Sequence, residues 1–282
     1  MPNTKSDLLA SPEWLYEHRG DPDLVIVDCP MAEGSYNRAH IPGALQLPVH
    51  PYIKAKDAGG NITLHLQGPE EFRALMAELG IGENTSVVLY DDRGSVFAAR
   101  LWWVLRYYGH ENAKVLNGGW QGWVSSGLPV SFEASKASDR VETFSPSGDP
   151  DRLATLGQIK GHYCAQNWSI LDVRSDDEYV GKDDRGNKRA GHIPDSIQLE
   201  WNRFLENSND TEAVRRFRPA EEIQELLEEY RIDKNQTIAT LCQSGIRASL
   251  VAFALELVGY PEIKLYDGSM AEWASLDDPP LE

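Results

Sequence analysis

The chain has 282 residues, 41% apolar and 25% charged, and a formal net charge of −17 at pH 7. That length fits two ordinary soluble domains. The acidity argues against a nucleic-acid binder, whose affinity rests on Lys and Arg meeting phosphates, and the longest apolar stretch, "LVAFALELVGY", is broken by Glu256 and too short to span a bilayer.

In chain order, "MPNTKSDLLASPEW" lacks the basic head and apolar core of an export signal. The three cysteines, Cys29, Cys164 and Cys242, lie far apart and show neither a disulfide framework nor a metal spacing. Together these predict a protein of the reducing cytoplasm. Ser11 and Pro12 form a helix-start pair. "LVIVD" (24–28) and "SVVLY" (86–90) read as strands buried on both faces, while "EEFRALMAEL" (70–79) spaces its apolar residues as a helix does. After "VLNGGWQGW" (115–123), residues 131–150 are rich in Ser, Pro and charge and read as a linker.

Beyond the linker the same order returns. "SILDV" (169–173) follows "LVIVD", with Asp172 falling on Asp28, and "GHIPDSIQLE" follows "AHIPGALQLP" after an insertion, "GKDDRGNKRA" (181–190). "TIATL" (237–241) matches "SVVLY", and "LYDGSMAEW" matches "VLNGGWQGW", Trp273 falling on Trp123. Strands alternating with helices, twice over, predict an α/β fold of two tandem domains, each a small parallel sheet flanked by helices. The expected boundaries are 1–130 for an inactive copy, 131–150 for the linker and 151–282 for a catalytic copy.

The chemistry concentrates in "CQSGIR" (242–247), between the strand "TIATL" and the helix "ASLVAFALEL". Ligands in such sheets gather where strands end and helices begin. Backbone N–H groups of a tight loop at a helix start lack intrahelical partners and make an anion cradle. Cys242 at its centre reads as a nucleophilic thiolate, with Gln243, Ser244, Gly245 and Ile246 supplying the loop amides and Arg247 a fixed charge. Gly245 supplies left-handed backbone freedom for the turn. The first copy reads "YDDRGS" where the second reads "TLCQSG", so Asp91 or Asp92 stands in the cysteine's place, and only the second copy is active. Cys29 and Cys164 read as small core fillers. His40 and His192 recur in both copies and read as structural.

Two "HIP" segments, a closing "DGSMAEW", an aspartate in place of the first nucleophile and a cysteine loop in the second copy resemble the tandem-domain rhodaneses, the thiosulfate and 3-mercaptopyruvate sulfurtransferases. The loop is most similar to bacterial rhodaneses with Gln after the cysteine and Arg closing the loop. The resemblance implies a five-stranded parallel sheet in each copy. It implies a monomer that, with no metal or organic cofactor, moves a sulfane sulfur from a small anionic donor, thiosulfate, to a thiophilic acceptor such as cyanide or a thiol, through a Cys242 persulfide. It also implies an anion-binding role for Arg174, while a second family arginine is replaced by Glu178. The alternatives are a 3-mercaptopyruvate donor and a persulfide carrier for a protein partner. A cysteine-dependent phosphatase is more remote, because its loop has five residues between Cys and Arg where this chain has four.

Overall fold

Branched apolar runs flanked by polar helices settle into parallel strands, because only covering both faces of such a sheet buries them. The computed structural model describes residues 6–32, 34–49, 53–137, 143–207, 210 and 213–282. After a 3-10 turn (Ser6–Leu8) come β1 (Leu9–Ala10), α1 (Pro12–His18), β2 (Leu24–Asp28), α2 (Ser35–Arg38), β3 (Leu45–Gln46), β4 (Lys54–Lys56), β5 (Ile62–Leu66), α3 (Pro69–Glu78), β6 (Ser86–Tyr90), α4 (Val96–Tyr107), β7 (Ala113–Leu116) and α5 (Gly119–Ser125). The second half runs α6 (Leu156–His162), β8 (Trp168–Asp172), α7 (Asp176–Tyr179), β9 (Ile197–Gln198), a 3-10 turn (Trp201–Phe204), α8 (Ala220–Glu229), β10 (Thr237–Leu241), α9 (Ile246–Leu257), β11 (Ile263–Leu265) and α10 (Ser269–Trp273).

The first sheet is parallel throughout, in the order β1-β7-β6-β2-β3. The second is parallel in the order β11-β10-β8-β9. It has four strands rather than the expected five. Leu153 makes a single parallel bridge to Leu265 where the first sheet has β1, too short a pairing to count as a strand. β4 and β5 form a separate antiparallel pair.

The chain divides into two units, Ser6–Asp149 with Leu205–Phe217, and Pro150–Phe204 with Arg218–Glu282. Both differences from the expected boundaries have a physical source. Residues 131–137 and 143–149 are strapped to the first unit: Ser131 exchanges backbone hydrogen bonds with His40 (2.8 and 3.0 Å), and Phe144 is buried against Phe72 and His110. The stretch 138–142 lies outside the described residues. In the second half, Leu205–Phe217 folds onto the first unit, where Phe217 N–H donates to Asn117 Oδ1 (3.0 Å) and Arg215 and Leu205 pack against Gly94.

The copies keep matched anchors. Trp123 and Trp273 are both fully buried, and each donates its ring N–H to a proline carbonyl, Pro129 (2.8 Å) and Pro280 (2.9 Å). Truncating such an indole to Ala costs about 3–5 kcal/mol. Among the described residues, no helix is long and apolar enough to cross a membrane.

Candidate active site

β10 lies between β8 and β11, and its last residue, Leu241, hands the chain to Cys242. Helix α9 begins at Ile246, and Gly245 makes the turn with φ 82°, a left-handed value that costs other residues strain. The backbone around the thiol is pinned from α10. Cys242 N–H donates to Ser269 Oγ (3.1 Å), while the carbonyls of Cys242 and Gln243 accept from Met270 (3.1 Å) and Ala271 (3.0 Å). Ser269 is fully buried at φ 52°, an uncommon conformation for serine, and donates its hydroxyl to the Tyr266 carbonyl (2.8 Å). "DGSMAEW" pointed to this segment but not to this role, because a positive φ on serine leaves no trace in the sequence.

The backbone N–H groups from Gln243 through Ala248 have no acceptor among the described residues. The first copy reveals what such a loop binds. β6 ends at Tyr90 as β10 ends at Leu241, each facing the aspartate that closes the neighbouring strand, so Asp91 rather than Asp92 takes the cysteine's place. Asp91 accepts four backbone N–H groups: Arg93 (2.8 Å) and Ser95 (2.9 Å) on one oxygen, Phe97 (2.7 Å) and Ala98 (2.9 Å) on the other. Burial pushes this carboxyl up, and the four donors pull it back. The first copy's cradle is thus filled by its own anion, and residues 91–95 form a longer loop than 242–245. Nearby Asp28 is raised to about 7 by burial, against the Tyr90 hydrogen bond and with the help of Asp91 and Asp92. An edge this acidic repels anions.

The expected cations are both committed. Arg247 donates Nη1 and Nη2 to the two oxygens of Glu178 (2.6 and 2.8 Å), a bidentate pair on a carboxylate only 3% exposed. Burial alone would raise Glu178; the hydrogen bonds and charge of Arg247, with Ser175, outweigh it and bring the carboxyl down to about 2. Arg174, for which an anion contact is expected, lies behind this pair. Its side chain is buried, with Nε and Nη2 on Asp172 (2.6–3.0 Å), Nη1 on the Glu178 carbonyl (3.1 Å) and Nη2 also on the Gly191 carbonyl (2.9 Å). Every guanidinium nitrogen has a partner in the protein, and these bonds tie the end of β8 to Glu178 and Gly191.

Gln243 exchanges two amide hydrogen bonds with Asn187 of the insertion (2.7 and 3.1 Å). The insertion's cations are also tied down: Lys182 on Asp177, Arg185 on Glu178, Lys188 on Asp277, and Arg189 on the Pro279 and Trp273 carbonyls. Ser244 and Ile246 are half-buried on the loop. His40 and His192 stack on Tyr36 and Tyr179, each at 3.7 Å, with Nδ1 against that tyrosine's carbonyl (2.8 and 3.0 Å). Cys242 is buried at 1% exposure and Cys29 is fully buried, whereas Cys164 is exposed and does not fill the core.

The family model of the rhodanese-like domain matches residues 11–126 and 155–276. The chain belongs to the rhodanese family. It is 33% identical over 287 residues to the sulfur carrier protein TtuD of Thermus thermophilus, covering 98% of this chain and 96% of that one. It is 30% identical over 244 residues to the thiosulfate sulfurtransferase of Gallus gallus, covering 86% and 81%. Among solved structures, SseA from Escherichia coli, a 3-mercaptopyruvate sulfotransferase, superposes with a TM-score of 0.79 at 26% identity, covering 93% of this chain and 98% of that chain. A complex of EanB with ergothioneine shares the fold, with a TM-score of 0.83 at 24% identity over 98% of this chain and 70% of that one.

Proposed function

We propose that this rhodanese is a thiosulfate sulfurtransferase whose nucleophile is Cys242. The observation that carries the reading is the pair of matched loops. The first closes four N–H groups on a carboxylate, and the second, which begins with Cys242, leaves its N–H groups from Gln243 through Ala248 without an acceptor among the described residues. The relatives named as thiosulfate sulfurtransferases support the choice of donor.

In the first step the Cys242 thiolate attacks the outer sulfur of thiosulfate. The new Sγ–S bond forms as the sulfur–sulfur bond of the donor breaks, and sulfite leaves with the electron pair. In the second step cyanide or a thiolate attacks the terminal sulfur of the persulfide, and Cys242 regains its thiolate. The loop amides of Gln243, Ser244, Gly245, Ile246 and Arg247 stabilise the charge on the terminal sulfur, as an oxyanion hole does for oxygen. Arg247 contributes as a paired charge at the rim. The first unit serves as an inactive copy. The protein works as a monomer in the cytoplasm, with small-molecule sulfur donors and acceptors, without nucleic acid and without a cofactor.

The test is thiocyanate release from the reduced protein with thiosulfate and cyanide, with 3-mercaptopyruvate as donor in parallel. Turnover faster with thiosulfate and lost in Cys242→Ala is the expected result. Thiocyanate formation that survives Cys242→Ala would sink the nucleophile. The relative named as a sulfur carrier favours a second reading, a persulfide handed to a protein. In that case thiosulfate would load Cys242 with one sulfur, seen by intact mass, with little release to cyanide.

A further inference from the structure

The insertion between the strand aspartate and the second "HIP" segment reads as a solvated loop, and Lys182 through Gly186 are indeed exposed, as is Lys188. Asn187 between them is half-buried, and its side chain is spent on one residue. It donates to Gln243 Oε1 (3.1 Å) and accepts from Gln243 Nε2 (2.7 Å), so each amide satisfies the other. Gln243 follows the nucleophile directly, and the carbonyl of the peptide that joins them, that of Cys242, accepts from the Met270 N–H (3.1 Å), while the Gln243 carbonyl accepts from Ala271 (3.0 Å). Asn187 is a firm post for this contact. Its own N–H donates to the Asp184 carbonyl (2.8 Å), Arg189 ties the insertion to the Pro279 carbonyl (2.8 Å), and Lys188 pairs with Asp277. The first copy has no such insertion, and its loop carries no nucleophilic thiol.

We infer that Asn187 is a positioning residue for sulfur transfer: acting through Gln243, it holds the peptide after Cys242 in the orientation that aims the Gln243 N–H into the sulfur cradle. The inference rests on the proposed sulfurtransferase reading. With the Cys242 carbonyl held by Met270 and the Gln243 side chain held by Asn187, the peptide between Cys242 and Gln243 cannot rotate its N–H away, so the donor needs no reorganisation when charge moves onto the terminal sulfur. A loop amide released by about 1 Å or a few tens of degrees loses that advantage in the transition state more than in the ground state.

The experiment compares the full-length wild type, Asn187→Ala, Gln243→Ala, the double variant and Asn187→Asp, all carrying Cys164→Ser so that the exposed thiol does not report. Thiosulfate:cyanide kinetics, the rate of Cys242 alkylation by iodoacetamide at fixed pH, and the thermal midpoint are read on each. The expected results are a roughly tenfold lower kcat in Asn187→Ala with KM changed less than about twofold, and slower Cys242 alkylation. The double variant should be no worse than either single one. Asn187→Asp, which still accepts from Gln243 Nε2, should recover part of the loss. Wild-type kcat and alkylation in Asn187→Ala would overturn the inference. So would additive losses in the double variant, or a loss explained by a lowered thermal midpoint. If the wild type itself moves no sulfur, the proposed function fails, and the alkylation rates alone still decide the role of Asn187.

Discussion

Glu178 and Arg247 stand 69 positions apart in the chain and meet in two short hydrogen bonds. With Glu178 held near 2, below its ordinary 4.5, the ionised carboxylate favours the folded state. That contribution is complete above about pH 4.5 and is lost as the pH falls toward 2, the unfolded chain taking up the proton first. A shift of this size corresponds to about 3 kcal/mol. Glu178→Gln should therefore lower the unfolding free energy by roughly 2–3 kcal/mol at pH 7. The gap to wild type should close as pH is lowered from 4.5 to 2, read from denaturant midpoints at each pH. A gap independent of pH would mean that packing, not charge, is what Glu178 supplies. The same variant frees one face of Arg247, and its KM for thiosulfate should fall.

At the scale of the element, the unit that matters is a strand end, a turn and a helix start, built twice. In the first copy Asp91 satisfies four N–H groups, so Asp91→Ala strands buried donors and should lower stability by about 2–4 kcal/mol. It should also open the cradle: added sulfate is expected to raise the melting temperature of Asp91→Ala more than that of wild type. Equal sulfate effects on the two proteins would mean that the loop is no anion cradle. This element was legible in the sequence because a buried strand, a small-residue turn and an apolar helix each leave a local pattern, and the repeat placed the loops opposite one another. What stayed hidden depends on distant partners. Spacing rules find contacts three or four residues apart, not the pairing of Arg247 with Glu178. The family resemblance singles out Arg174 but not its capture by Asp172 two residues before it, which needed the buried geometry of both. The β4–β5 hairpin was missed as well. Its "DAGGN" turn is closed by Asp57, which accepts from the N–H groups of Gly59 (2.8 Å) and Asn61 (2.9 Å), but the flanking strands are too polar for a core pattern. Leu205–Phe217 carries no apolar period at all, and only the fold assigns it to the first unit.

For the whole molecule, charge dominates. A net charge of −17 repels a dianionic donor at long range, and the cations identified around Cys242 are paired at short range. Salt screens repulsion between like charges. The kcat/KM for thiosulfate should therefore rise, roughly two- to fivefold between 10 and 150 mM salt, while the rate with an uncharged acceptor changes little. Stopped-flow loading of Cys242 at several ionic strengths measures this directly, and a rate that falls with salt would mean that an unpaired cation attracts the donor.

The bidentate hold of Glu178 on Arg247 also bears on how the first product departs. Sulfite leaves as a dianion, and a guanidinium already chelated by a carboxylate offers it only a weak perch. Ground-state grip on donor and by-product is low together. Loading is then gained at the expense of saturation, and the persulfide is left standing in a vacated cradle, open to whichever nucleophile arrives next.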